Sequence, residues 1–223
     1  TNFGASLDRN FEGVRIAWSS DLGELPIDKR VTEVINSHRR TFEDLGCVVE
    51  EEHPDFSEAD EIFKVWRAWK FALKYGELVK AHPEEIKETV IWNVEEGLKL
   101  TGPQIARAEI KRTKLFHRVR RFMEKHEFLV MPVTQVPPFG IKQRYVTEIN
   151  AVEMKTYVDW MKSCYYISVV GLPAISVPAG FTLDGLPVGI QIVGRHQDDF
   201  GVIQLAHAFE KVTRFWKQKA PTS

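Results

Sequence analysis

Long apolar runs are missing from this sequence. No window approaches the roughly 20 consecutive apolar residues that a membrane-spanning helix needs, and the polar N-terminus lacks the charged-then-apolar order of a secretory signal. A cytoplasmic chain without membrane contact is the expectation. Cysteine is scarce as well: the 223 residues include only two, Cys47 and Cys164. They lie far apart within apolar segments, which favours reduced buried thiols over a disulfide framework and leaves room for one bridge at most. Excess charge of either sign is absent, with 30 Lys and Arg against 31 Asp and Glu and a formal net charge of -1. That balance removes any global electrostatic reason for binding nucleic acid or an anionic membrane. Among the histidines, His38, His117, His126, His196 and His207 show neither His-x-x-x-His spacing nor paired cysteines, so neither a metal nor another cofactor is expected. Methionine does not occur before Met123 and the chain opens on Thr1, which fits a fragment of a longer protein.

What is present is enough to build a core, with 43% apolar residues. Residues 14–18 form a short apolar run closed by Ser19, Ser20 and Asp21, the pattern of a buried strand meeting a turn. Asp28 then caps a helix on which Val31, Val34, Ile35, Phe42 and Leu45 recur at helical spacing, with His38 on the same face and Gly46 at the end. Residues 47–49 resume as strand, and this strand-helix-strand order predicts two parallel strands in one sheet. The middle is helical: Ile62, Trp66, Trp69 and Leu73 share one face, and Thr101 starts a long helix reaching about residue 126. Residues 128–131 return to strand and are followed by the longest irregular stretch, 133–150. A helix is expected over about 151–168. Two strands, 174–181 and 188–193, should form an antiparallel hairpin through Asp184 and Gly185. Asp198 or Asp199 then caps a last helix whose apolar face is Val202, Leu205, Ala206, Phe209 and Val212. Without repeats or an evident linker, the expected architecture is α/β, a mixed sheet flanked by helices, with residues 1–223 forming a single domain or part of one.

Two glycine-bounded segments carry more than architecture. Residues 171–180, Gly-Leu-Pro-Ala-Ile-Ser-Val-Pro-Ala-Gly, and 185–194, Gly-Leu-Pro-Val-Gly-Ile-Gln-Ile-Val-Gly, resemble the C-terminal block of the amidase-signature family. The likeness continues into 205–210 and includes the strand at 128–134, spanning roughly residues 14–213. It implies the C-terminal half of the amidase-signature fold and, for the parent protein, hydrolysis of a small-molecule carboxamide. In that family the chemistry relies on a serine nucleophile in a Gly- and Ser-rich loop, a second serine held by a cis peptide, and a lysine base. No Gly-x-Ser-x-Gly or Gly-Gly-Ser-Ser-Gly stretch occurs here, so the N-terminal catalytic segment is read as missing and no catalytic residue is assigned.

The remaining candidates are substrate contacts. Thr134 and Gln135 follow a strand end, where ligands of open α/β sheets collect. Asp159, and beside it Glu153, is placed on the helix before the signature block, where a carboxylate can meet an amide. Ser19-Ser20 and Ser176 read chiefly as turn and strand residues, and Gln191 as a buried group satisfying backbone. Trp66, Trp69, Phe71 and Tyr75 read as core before acyl pocket. Arg107, Lys111, Lys114, Arg118, Arg121 and Lys125 form a basic stripe along the long helix, more simply a solvated face balanced by acidic segments than a phosphate site, so nucleic acid is not expected as a partner. Pairing with a missing half, or self-association through an uncovered strand edge, is expected instead. A non-catalytic module, such as one component of a tRNA-dependent amidotransferase, is the alternative function.

Overall fold

The computed structural model describes residues 3–23 and 25–218. They divide into two compact units, one made of Thr1–Asp55 with Arg118–Ser223 and the other of Phe56–His117.

The first unit is built on a five-stranded mixed sheet in the order β2-β1-β3-β7-β6. Its strands are β1 (Arg15–Trp18), β2 (Val48–Glu51), β3 (Phe128–Pro132), β6 (Ala174–Phe181) and β7 (Pro187–Gly194). As the period change predicts, β1 and β2 pair in parallel, and β1 also runs parallel to β3. The two glycine-bounded segments form the expected antiparallel hairpin, and β7 continues antiparallel onto β3. Every residue of β3 is buried, because this strand is central and covered on both faces, and its sequence is correspondingly unbroken in apolarity. Alternation sorts the neighbours. Ile16, Trp18, Phe128, Val130, Ile190 and Ile192 point to one face, where they meet Val31, Ile35, Phe42, Leu205 and Phe209 in a single apolar cluster. Those partners come from α1 (Lys29–Asn36), α2 (Arg39–Asp44) and α7 (Asp199–Thr213).

Asp28 caps α1 as expected, its Oδ1 accepting from the Arg30 amide at 2.9 Å. The single helix expected to run on to Leu45 is instead broken into α1 and α2. Ser37 turns its hydroxyl back onto the Val34 carbonyl at 2.7 Å, and His38 leaves the helical path so that its Nε2 meets the Ala179 carbonyl at 2.6 Å. Beyond α2, Gly46 has φ +94, and a Cβ there would lie 2.9 Å from Glu12 Cα, so the turn into β2 requires glycine. At the hairpin, Gly185 takes φ +83. Pro178 sits on β6, which among the described residues pairs only with β7, and the ladder is irregular between Pro178 and Gly180. An edge strand with a bulge accommodates the missing donor. Asp198 caps α7 through the Gly201 amide at 3.1 Å, although Val212, expected on the buried face, is 58% exposed.

The helix expected over 151–168 is a second correction. Asn150 and Ala151 both adopt positive φ and join two short antiparallel strands, β4 (Glu148–Ile149) and β5 (Val152–Glu153). Glu153 is therefore an exposed strand residue. A short turn at Asp159–Met161 follows, and α6 begins only at Lys162, running to Val170.

The second unit contains α3 (Ala59–Ala81), α4 (Glu88–Leu98) and the first part of α5 (Gly102–Lys125), which continues into the first unit. At the start of α5, Oε1 of Gln104 folds back to receive the Thr101 amide at 2.9 Å, satisfying a donor that the helix itself leaves open. The helix α4 had no counterpart in the sequence reading. It packs on α3 so closely that a Cβ on Gly97 would overlap the Ala68 carbonyl. Of the apolar face expected on α3, Ile62 is buried, Trp66 and Trp69 are half-buried in an edge-on pair with ring centroids 5.1 Å apart, and Leu73 is 77% exposed. No helix among the described residues is long and apolar enough to cross a membrane. Cys47 and Cys164 are both free.

Candidate functional site

The segment that leaves β3 is tied down on every side. Gln135 is completely buried, with its carboxamide used at both ends: Nε2 donates to the Pro26 carbonyl at 3.1 Å, and Oε1 receives the Lys162 amide at 2.6 Å. Its backbone carbonyl also accepts from the Asp28 amide at 2.8 Å. One side chain thus joins the loop before α1, the end of β3 and the first turn of α6. Thr134 is half-buried and donates its hydroxyl to the Val136 carbonyl at 2.8 Å. The Val133 carbonyl receives both Ser163 Oγ at 2.9 Å and Cys164 Sγ at 3.0 Å. Burial raises the Cys164 thiol pKa, and the Cys47 thiol is pushed up to about 11, chiefly by burial. Neither thiol is poised as a nucleophile at neutral pH.

Asp159 reaches the same place from the other direction. It is buried, and its Oδ2 accepts from the Thr156 amide at 2.6 Å and from the Thr156 hydroxyl at 2.9 Å. The short turn it stabilises delivers Lys162 to Gln135. The structure therefore brings Gln135 and Asp159 together around the start of α6, while Thr134 faces its own loop. That loop is held by Asn150 Nδ2, which donates to the Ile27 carbonyl at 2.7 Å, and by a small apolar cluster of Val136, Val146, Ile149 and Met154 under Trp160.

Beside this junction lies the β6–β7 surface. Ser176 is exposed and stands opposite Gln191 in the ladder. Gln191 is 8% exposed, yet its Oε1 is sealed from water with no hydrogen-bond partner among the described residues. The expectation that Gln191 satisfies buried backbone groups is thus corrected for this atom. Around the edge of β6 runs an open groove of about 490 Å³ lined by Pro178, Phe181 and Pro187 on one side and Phe215 and Trp216 on the other. Sequence reading missed it, because residues 215–216 follow the last helix with no periodic signal of their own.

Other candidates resolve as structure. Ser19 is buried and its Oγ accepts from the Leu22 amide at 2.9 Å, a turn role. On the basic stripe, Lys111 pairs with Glu61 at 2.5 Å, Arg118 with Asp55 at 3.2 Å and Lys125 with Glu52 at 4.0 Å, so much of its field is neutralised locally. Among the described residues, His82, Glu84 and Glu85 lie near enough to share an ion, but all three are exposed and belong to the second unit.

A family model described as Amidase matches residues 2–203. An acylamidase from Rhodococcus erythropolis is 33% identical over 94% of this chain and 44% of its own length. A glutamyl-tRNA(Gln) amidotransferase subunit from Thermodesulfovibrio yellowstonii is 26% identical over 98% of this chain and 49% of its own length. The chain thus spans about half the length of these curated relatives. Among solved structures, a bacterial aryl acylamidase of the amidase-signature enzymes superposes with a TM-score of 0.86 at 22% identity, covering 97% of this chain and 47% of that one. A 6-aminohexanoate cyclic dimer hydrolase does so with a TM-score of 0.79 at 18% identity, covering 96% and 48%.

Proposed function

The chain belongs to the amidase-signature family, and on that premise we propose that it is the C-terminal portion of an amidase whose nucleophile lies in the other half of the parent protein. The observation that carries this reading is the pairing of a family match across residues 2–203 with coverage of less than half of an acylamidase. In the parent, a serine hydroxyl adds to the substrate carbonyl, the nitrogen leaves with a proton as ammonia or amine, and water cleaves the acyl ester to release carboxylate. Such chemistry needs a base within reach of the nucleophile and donors aimed at the oxyanion.

This chain contributes half of the sheet and one wall of the acyl pocket. Thr134, Gln135 and Asp159 border that pocket, with Gln135 and Asp159 acting through the turns they fix. A second reading, as part of a tRNA-dependent amidotransferase, is favoured by the likeness along nearly the whole chain to the Thermodesulfovibrio protein. Both readings leave the purified 223-residue chain inactive by itself.

The test assays that chain on simple aliphatic and aromatic amides. Only background ammonia or amine release is expected. A rate that survives purification and disappears in Ser176→Ala would overturn the assignment of the nucleophile to the other half.

A further inference from the structure

Gln191 is anomalous in its setting. An acceptor sealed from water without a donor is a defect that native proteins rarely retain, and here it lies beside an open surface. Ser176, its ladder partner, is exposed. Gly189, two residues along on the same face, has no Cβ to raise a ridge; one placed there would stand 3.0 Å from Ser176 Oγ and 3.2 Å from Val133 Cγ2. Glycine at this point is what lets the Val133 and Ser176 side chains close over the strand.

We propose that Gln191 and Ser176 form a clamp for one peptide group of the segment that covers the β6–β7 face in the longer parent. Turned toward Ser176, the Gln191 carboxamide accepts the N–H of that peptide, and the Ser176 hydroxyl donates to its carbonyl. The donor and acceptor types are matched one to one. The occupant is an extended stretch of the half this chain lacks, since the chain accounts for only 44% of the acylamidase's length and 49% of the Thermodesulfovibrio protein's. The inference rests on the reading of the chain as one part of a larger amidase.

Two measurements separate the clamp from that reading. In the chain alone, Gln191→Leu removes an unpaired acceptor, so its Tm should rise by roughly 2–4 °C; a clear fall would show that the carboxamide is already satisfied and would overturn the clamp. The chain is then co-produced with the part of the Rhodococcus erythropolis acylamidase that it does not align with, and copurification is measured. Wild type should copurify. Gln191→Leu and Ser176→Ala should each reduce recovery about tenfold, whereas Lys80→Ala, on the exposed end of α3, should not. Failure of the wild type to copurify overturns the clamp, while the larger reading stands or falls on the amide assay. Copurification that both substitutions leave unchanged overturns the clamp alone.

Discussion

His38 shows how one residue converts a helix break into a pH response. Its ring sits between Phe209 and Phe215, at centroid distances of 5.2 and 5.4 Å, with Nε2 on the Ala179 carbonyl. Burial lowers its pKa from the ordinary value of 6.5, and the carbonyl only partly offsets this. The native state therefore binds this proton less readily than the unfolded chain does. Between the unfolded pKa and the lowered native one, the unfolded state holds more protons, so stability rises with pH there and is lost as pH falls below about 6.5. Urea unfolding of wild type and His38→Gln between pH 5 and 8 checks the sign, the variant being expected to show the shallower slope. Equal slopes would remove His38 as the cause. The sequence placed His38 on an apolar helical face and was right about its burial. It could not show the Ala179 partner, which lies 141 residues away. Gln135 teaches the same lesson: its position after a strand end was legible, but the capture of both its amide atoms by Pro26 and Lys162 depends on loops that only the folded chain brings together.

Elements with a strong local period were the ones the sequence revealed. The long α5, the parallel β1 and β2, and the β6–β7 hairpin all follow from apolar spacing and turn residues. Elements set by positive φ at non-glycine residues were hidden. Asn150 and Ala151 make the β4–β5 turn in a stretch whose spacing reads as helix, and nothing in their side chains announces it. The α3–α4 pair was hidden for another reason, since its closest approach is made by backbone. Gly97 faces the Ala68 carbonyl and lies 2.7 Å, at an added Cβ, from the Ala72 methyl. A methyl there must push the helices apart, so Gly97→Ala should destabilise by about 1–3 kcal/mol, the usual cost of overpacking, despite alanine's better helix propensity. Thermal unfolding followed by tryptophan fluorescence reports it, because Trp66 and Trp69 stand on α3. A neutral or stabilising result would mean that the two helices separate freely. The cap at Asp198 provides a milder comparison: Asp198→Ala should cost about 1 kcal/mol through the lost Gly201 contact.

At the scale of the whole molecule, the first unit closes one face of its sheet well and leaves the other end unfinished. The apolar cluster under α1, α2 and α7 is continuous, whereas β6 is an edge with Ala174, Ser176 and Pro178 exposed. In the second unit, Leu73 at 77%, Leu98 at 72% and Ile110 at 56% exposure add apolar surface on α3, α4 and α5. An uncovered edge and exposed apolar side chains both promote association. Net charge offers little opposition, being formally -1. The purified chain should therefore form dimers or larger assemblies whose size grows with concentration. Two changes separate the contributions. Ser176→Lys places a charge on the β6 edge, and Leu73→Glu with Leu98→Glu does the same on the helices. If the edge dominates, the first change lowers the mean mass in light scattering across a dilution series, and the second leaves it nearly unaltered. Wild type that stays monomeric at high concentration and binds no hydrophobic dye would show that the chain satisfies its own surface, which would favour a stand-alone module over half of an amidase.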